Sequence, residues 1–125
     1  MAQLPNPISI EAAVGSQFNV TYVLQNDNGT LMDITNKTFE FSVRSDTIQT
    51  SALPPLISVN STANTNSGGI TVTVNTATVL VTVSASAMAL LVQKLYYYTL
   101  WMDQGLTDAT AMVSGTMFAT NVSAP

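Results

Sequence analysis

The sequence predicts an all-β fold: an antiparallel β-sandwich of about seven strands with one short helical crossover near residues 85–93. Three observations carry the prediction. Apolar residues recur at every second position in several segments, the period of half-buried strands. Clusters of Asn, Asp, Gly and Pro break these segments at the spacing of sandwich turns. One stretch alone, 84–93, leaves the alternating pattern for Ala, Leu and Met, which favour helix. At 125 residues one domain is the default, divided into an extended arm over 1–9, a sandwich over 10–121 and a tail over 122–125. A chain of this length buries about two-thirds of the surface its unfolded form exposes, enough for a core without disulfides or metal.

The elements follow in order. The arm carries Pro5 and Pro7, which favour extended backbone and block regular strand pairing. Gln17 to Gln25 alternates, with Phe18, Val20, Tyr22 and Leu24 on one face and Val23 as the exception on the other. Asn26-Asp27-Asn28-Gly29 is a turn signal, since Asn-Gly supplies positive φ. A short return strand is expected over Leu31 to Ile34. Thr38 to Arg44 alternates again, with Phe39, Phe41 and Val43 inward and Glu40 and Ser42 outward. Pro54-Pro55 excludes a central strand, and Leu56 to Val59 fits a brief edge strand. Ser61 to Gly69 reads as a mobile polar loop. Ile70 to Val74 and Val79 to Val83 form either one long bent strand or two joined at 75–77. Ser84 or Ser86 caps the helical turns. Leu95 to Asp103 and Ala109 to Thr120 are the last strands, joined by a turn at Gln104-Gly105. Gly115 marks a bulge or a close approach.

Charge is scarce. Three basic side chains (Lys37, Arg44, Lys94) and seven acidic ones make up 8% of the residues, with a net charge of −4, against roughly a quarter in an ordinary domain. Such a surface repels its own copies weakly, and low charge favours association. Nucleic acid is excluded as a partner, because neutralising phosphates needs clustered Lys and Arg. No membrane contact is expected: the longest apolar stretch, Ala85 to Val92, is too short to span a bilayer. Residues 1–10 lack the positive charge and apolar run of a signal peptide, so the chain reads as made in a cytoplasm. Asn-x-Ser/Thr sequons at Asn19, Asn28, Asn36, Asn60 and Asn121 arise by chance in a chain so rich in Asn and Thr.

The residues offer little for chemistry. Without His or Cys there is no Ser-His-Asp set, and zinc would have only carboxylate ligands. Asp27-Asn28-Gly29 has the look of a calcium loop, but the twelfth position is Thr38 rather than an acid; a hairpin turn is the better reading. Asp103 and Asp108 flank a turn. Paired carboxylates can hydrolyse sugars, but solvated turn residues are the simpler account. Scattered glycines make no phosphate loop. Met88, Met102, Met112 and Met117 read as core packing. No cofactor is expected, and an enzyme is the last of the readings.

The strongest local signal is Leu95 to Met102. As a strand it puts Tyr96, Tyr98, Leu100 and Met102 on one face and Leu95, Tyr97, Thr99 and Trp101 on the other. Both faces are large and apolar, whereas a sandwich strand with one wet face is polar there. Tyr97 and Trp101 are therefore candidate interface anchors, unless the 84–93 turn or the long loop covers them. Pro5 and Pro7 are a second candidate, an arm reaching a neighbouring subunit, against the alternative of a frayed terminus.

Several segments also share an order: Leu24 to Gly29, then Leu31-Met32-Asp33-Ile34-Thr35, then Phe39 to Arg44. Gly69 to Val74, the capped Ala/Leu turn, Tyr96 to Asp103 and Val113 to Phe118 follow. This order resembles a small immunoglobulin-like β-sandwich of tailed-bacteriophage virion proteins, the module near the start of baseplate and tail-fibre proteins. The resemblance covers nearly the whole chain as a pattern of residue types. It departs at Lys94-Leu95, where that pattern usually has a glycine before the aromatic strand. It implies an immunoglobulin-like sandwich without enzyme activity or cofactor. The expected function is then a structural virion protein, docking in many copies on the capsid, neck, tail or fibre base. Its partners would be other virion proteins and copies of itself. The alternative is a sandwich that binds carbohydrate or a host surface, with Trp101 or the tyrosines on sugar rings. A pilus or surface-layer subunit would need an export signal.

Overall fold

The computed structural model describes residues 9–45, 55–62, 66–103 and 109–121. Its strands are β1 (Ile10–Ala13), β2 (Phe18–Val23), β3 (Phe39–Arg44), β4 (Ile57–Asn60), β5 (Gly68–Thr73), β6 (Thr78–Val83), β7 (Lys94–Met102) and β8 (Thr110–Thr120), with a helical turn α1 (Ala85–Met88) between β6 and β7. One sheet has the order β1-β8-β7-β3-β4, the other β2-β6-β5. Lettered B to G from β2 (with β4 as C′), the sheets read GFCC′ and BED, the strand order of a variable-type immunoglobulin sandwich. The all-β sandwich that the alternation predicts is the fold observed.

Two features depart from that expectation. The described residues hold eight strands rather than about seven, and the sandwich is not wholly antiparallel, because β1 runs parallel to β8, from Ile10 opposite Met117 to Ala13 opposite Thr120. The four residues of β1 are too few for an alternating pattern to stand out.

The core lies between the inward faces. Phe39, Phe41, Val43, Tyr98 and Leu100 from the larger sheet meet Val79, Val81 and Val83 from the smaller one, all buried. Phe18, Phe41 and Tyr98 form a chain of tilted rings across the gap, at 6.4 and 5.5 Å between centroids. Antibody domains pin the same place with a disulfide against a Trp; this chain, without cysteine, pins it with aromatic packing.

Local chemistry explains the connections. Asn26 to Gly29 closes with the Gly29 N–H donating to the Asn26 carbonyl at 2.9 Å, and Gly29 takes φ +85°. The return strand expected over 31–34 is only a single bridge, Gln25 to Leu31. Its backbone is diverted because the Asp33 carboxylate accepts both the N–H and the hydroxyl of Thr35, at 3.1 and 2.7 Å, while Ile34 plunges into the core. Those bonds hold the Asp33 carboxyl below its usual range. The same Asx-x-Thr device recurs at Asn28–Thr30 and Asn60–Thr62, so two of the sequons serve as turns.

β5 and β6 are two strands, joined by a 3-10 turn over Val74–Thr76 and by Ala77 in the left-handed region. Gly68 and Gly69 belong to β5 rather than to a loop. Ser84 is the helix cap: its Oγ accepts the Ala87 N–H at 3.2 Å and donates to the Asn66 carbonyl at 2.7 Å. Gly115 is not the bulge; it lies in register opposite Tyr98, and the irregularity falls between Leu100 and Trp101. β4 is the edge strand expected near Leu56 to Val59.

Asp103 corrects the reading of a solvated turn residue. It is buried, 4% exposed, at φ +56°. Its carboxylate accepts the Thr38 N–H at 3.0 Å and meets the Lys37 ammonium at 3.3 Å. Asp108 and the Gln104-Gly105 turn lie outside the described residues.

Candidate functional site

Alternation decides which side chains leave the core of the larger sheet. On β3, Phe39, Phe41 and Val43 point inward, so Glu40, Ser42 and Arg44 face out. On β7, Tyr96, Tyr98 and Leu100 point inward, so Leu95, Tyr97, Thr99 and Trp101 face out. Strand pairing lines these residues up in rows. Asn60, Glu40, Trp101 and Ala111 make one row. Ser58, Ser42, Thr99 and Ser114 make the next, Arg44, Tyr97 and Thr116 a third, and Leu95, Phe118 and the exposed Glu11 of β1 a fourth.

The bulge shapes this face. It leaves Met112 as the extra residue, packed against the core, and sets the small Ala111 beside Trp101. Re-aiming one side chain is a common use of a bulge. The face that results sets large apolar side chains among three charges, Glu40, Arg44 and Glu11, over a hydroxyl floor. Leu95 and Phe118 are 43% and 38% exposed, and Tyr97 and Trp101 are half-buried. Ser42 and Thr99 are 4% and 5% exposed. They are short side chains flanked along their strands by Glu40, Arg44, Tyr97 and Trp101.

The 84–93 segment does not bury the two aromatics. Its apolar residues Ala87, Met88 and Leu91 enter the core, while Leu90 and Val92 remain exposed. Tyr97 and Trp101 thus share one face with solvent access. The other two candidates, Pro5 and Pro7, lie outside the described residues. Alternation alone would have marked Glu40 and Phe118 as outward. Their place beside Trp101 and Leu95 needed the pairing register.

Burial raises the phenols of Tyr22 and Tyr98, which neighbour each other between the sheets. Among the described residues no three acidic side chains converge as a metal-ligand set, and no helix is long and apolar enough to cross a membrane. Compared with known proteins, the chain matches no family model, and no curated protein matches it at a significant level.

Proposed function

We propose that this chain is a structural, non-enzymatic part of a tailed-bacteriophage particle: an immunoglobulin-like module that docks in many copies on the capsid, neck, tail or fibre base. The observation that supports docking is the outer face of the larger sheet, where Leu95, Tyr97, Trp101 and Phe118 stand together among small hydroxyls. Covering such a face removes apolar area from water, at roughly 25 cal/mol per Å². With 8% charged residues, few ions need desolvation. Many weak copies arranged by symmetry then hold firmly. The phage setting is supported by the resemblance in residue pattern. The carbohydrate reading draws no support from the placement of Tyr97, in the middle of β7, and Trp101, next to its last residue, both within the strand rather than on a loop.

The test is binding to the phage particle whose genome encodes the chain. Particles grown without the gene are mixed with purified protein, sedimented and imaged. The protein is expected to sediment with them at a fixed copy number. Trp101→Ser and Phe118→Ser, if their melting is unchanged, are expected to abolish this. No binding by the folded wild-type protein, or full binding by both variants, would overturn the proposal.

A further inference from the structure

The outer face is symmetric in a way that names its occupant. On β3, Glu40 and Arg44 lie two residues to either side of Ser42; on β7, Trp101 and Tyr97 lie two residues to either side of Thr99. The pairs occupy the same rows, Glu40 with Trp101 and Arg44 with Tyr97. A two-fold axis in the plane of the face, along the Ser42–Thr99 row, exchanges those rows. It sets Glu40 over Arg44 of a second copy and Trp101 over that copy's Tyr97, and then repeats both pairs in reverse. We infer that this face closes on the same face of a second copy, as a two-fold dimer. The inference rests on the reading of this face as a docking surface and adds the partner.

Charge complementarity carries the choice of occupant. Among the described residues, Glu40 and Arg44 are the only charged side chains in the three rows through Trp101, Thr99 and Tyr97, and they are opposite in sign. Among the described residues Glu40 forms no ion pair. Arg44 has an interaction within its own chain, and a guanidinium with five donors accommodates a second acceptor. A self-complementary patch of this kind is what an isologous contact requires. At the axis Ser42 and Thr99 face their own copies. Their small size lets Tyr97 and Trp101 stack offset across the gap, the favoured aromatic geometry. The sheet face spans roughly 20 Å by 20 Å, at the low end of interface size, so the dimer is reversible and concentration-dependent.

Sedimentation velocity over a concentration series tests the pairing. The wild-type protein dimerises. E40R and R44E each set like charges face to face and weaken self-association roughly tenfold or more. Mixed one to one, the two variants dimerise again, because one carries two positive and the other two negative groups on the same rows. Ser58 lies in the axis row and is exposed. In a chain without cysteine, S58C therefore cross-links to its own copy through a short bis-maleimide, a readout that does not depend on the charge variants folding. A wild-type protein that stays monomeric, or a mixture that associates no better than its components while S58C fails to cross-link, overturns the dimer. A monomer that still sediments with phage particles leaves the docking function standing with a different partner. A dimer that ignores them overturns that function and keeps the dimer.

Discussion

The hydroxyl of Tyr96 turns back onto the backbone of Val92, accepting its N–H at 2.9 Å and donating to its carbonyl at 3.2 Å. Tyr96 sits near the start of β7, two residues before the buried Tyr98, which is the place of the tyrosine corner in immunoglobulin-type sandwiches. The bond ties the last strand pair to the crossover that brings the chain from one sheet to the other. The Lys94 ammonium lies over the same ring, 5.3 Å from its centroid.

Tyr96→Phe keeps the ring and removes both bonds. The expected loss is about 1–2 kcal/mol, read as a lower urea midpoint with an unchanged slope, since the fold and its buried area stay the same.

Asp103 joins the end of β7 to the residue before β3. Asp103→Ala removes the acceptor for the Thr38 N–H and places Ala at φ +56°, at a cost of about 2–3 kcal/mol. Asp103→Asn keeps an acceptor and tolerates that backbone, so it costs less. The pH dependence separates them further. The Thr38 N–H first, and then the Lys37 ammonium, hold the Asp103 carboxyl below its usual range against the opposing effect of burial. A carboxyl lowered in the folded state contributes stability above its unfolded value, about 3.9, and that contribution disappears as the pH falls through the folded value. Wild-type stability is expected to drop faster than that of Asp103→Asn in urea titrations below pH 4, the approximate unfolded value.

Gly68 opens β5 at φ +128°, and a Cβ there would collide with the Thr82 carbonyl oxygen and carbon of the paired strand. The obstacle is backbone, so it cannot swing aside. Gly68→Ala is expected to lose roughly 2 kcal/mol or more, whereas Gly29→Ala, with open space around it, pays mainly for its positive φ. Thermal melting of the two variants side by side checks the difference.

Tyr22 and Tyr98 give the opposite pH response. Burial, aided at Tyr22 by its neighbour Tyr98, raises both phenols above the usual tyrosine range. The folded state therefore keeps its protons where an unfolded tyrosine, near pH 10, would release them. Stability present below that pH is expected to fall as pH rises beyond it. Phenolate absorbance should show part of the four tyrosines ionising only together with unfolding; ionisation of all four in the folded protein would contradict the burial of this pair.

Much of the fold was legible in particular residues. Phe18-x-Val20-x-Tyr22, Phe39-x-Phe41-x-Val43 and Val79-x-Val81-x-Val83 alternate because one side of each strand meets the core. Ser84 and Ser86 beside a run of Ala and Leu announced a capped turn, and parity put Tyr97 and Trp101 on one face of their strand, while their exposure came only with the structure. The signal failed where an element is short or where a side chain redirects the backbone. β1 has four residues and buries only Ala12. The Leu31 to Ile34 strand is pre-empted by Asp33 gripping Thr35. Asp103 looked solvated because nothing near it in sequence showed that Thr38 would arrive beside it.

The sequence by itself determined the fold class, the longer alternating strands with their two faces, and a capped turn beginning at Ser84 or Ser86, because strand parity and capping act within a few residues. Only the tertiary structure decided the parallel β1–β8 pair, the clamp of Asp103 on Thr38, the bulge that sets Ala111 beside Trp101, and the rows that join Glu40 to Trp101 and Arg44 to Tyr97. These relations depend on the register between segments far apart in the chain. A shift of one residue would turn every side chain of a strand to the other face, so the packing of the whole core selects the register.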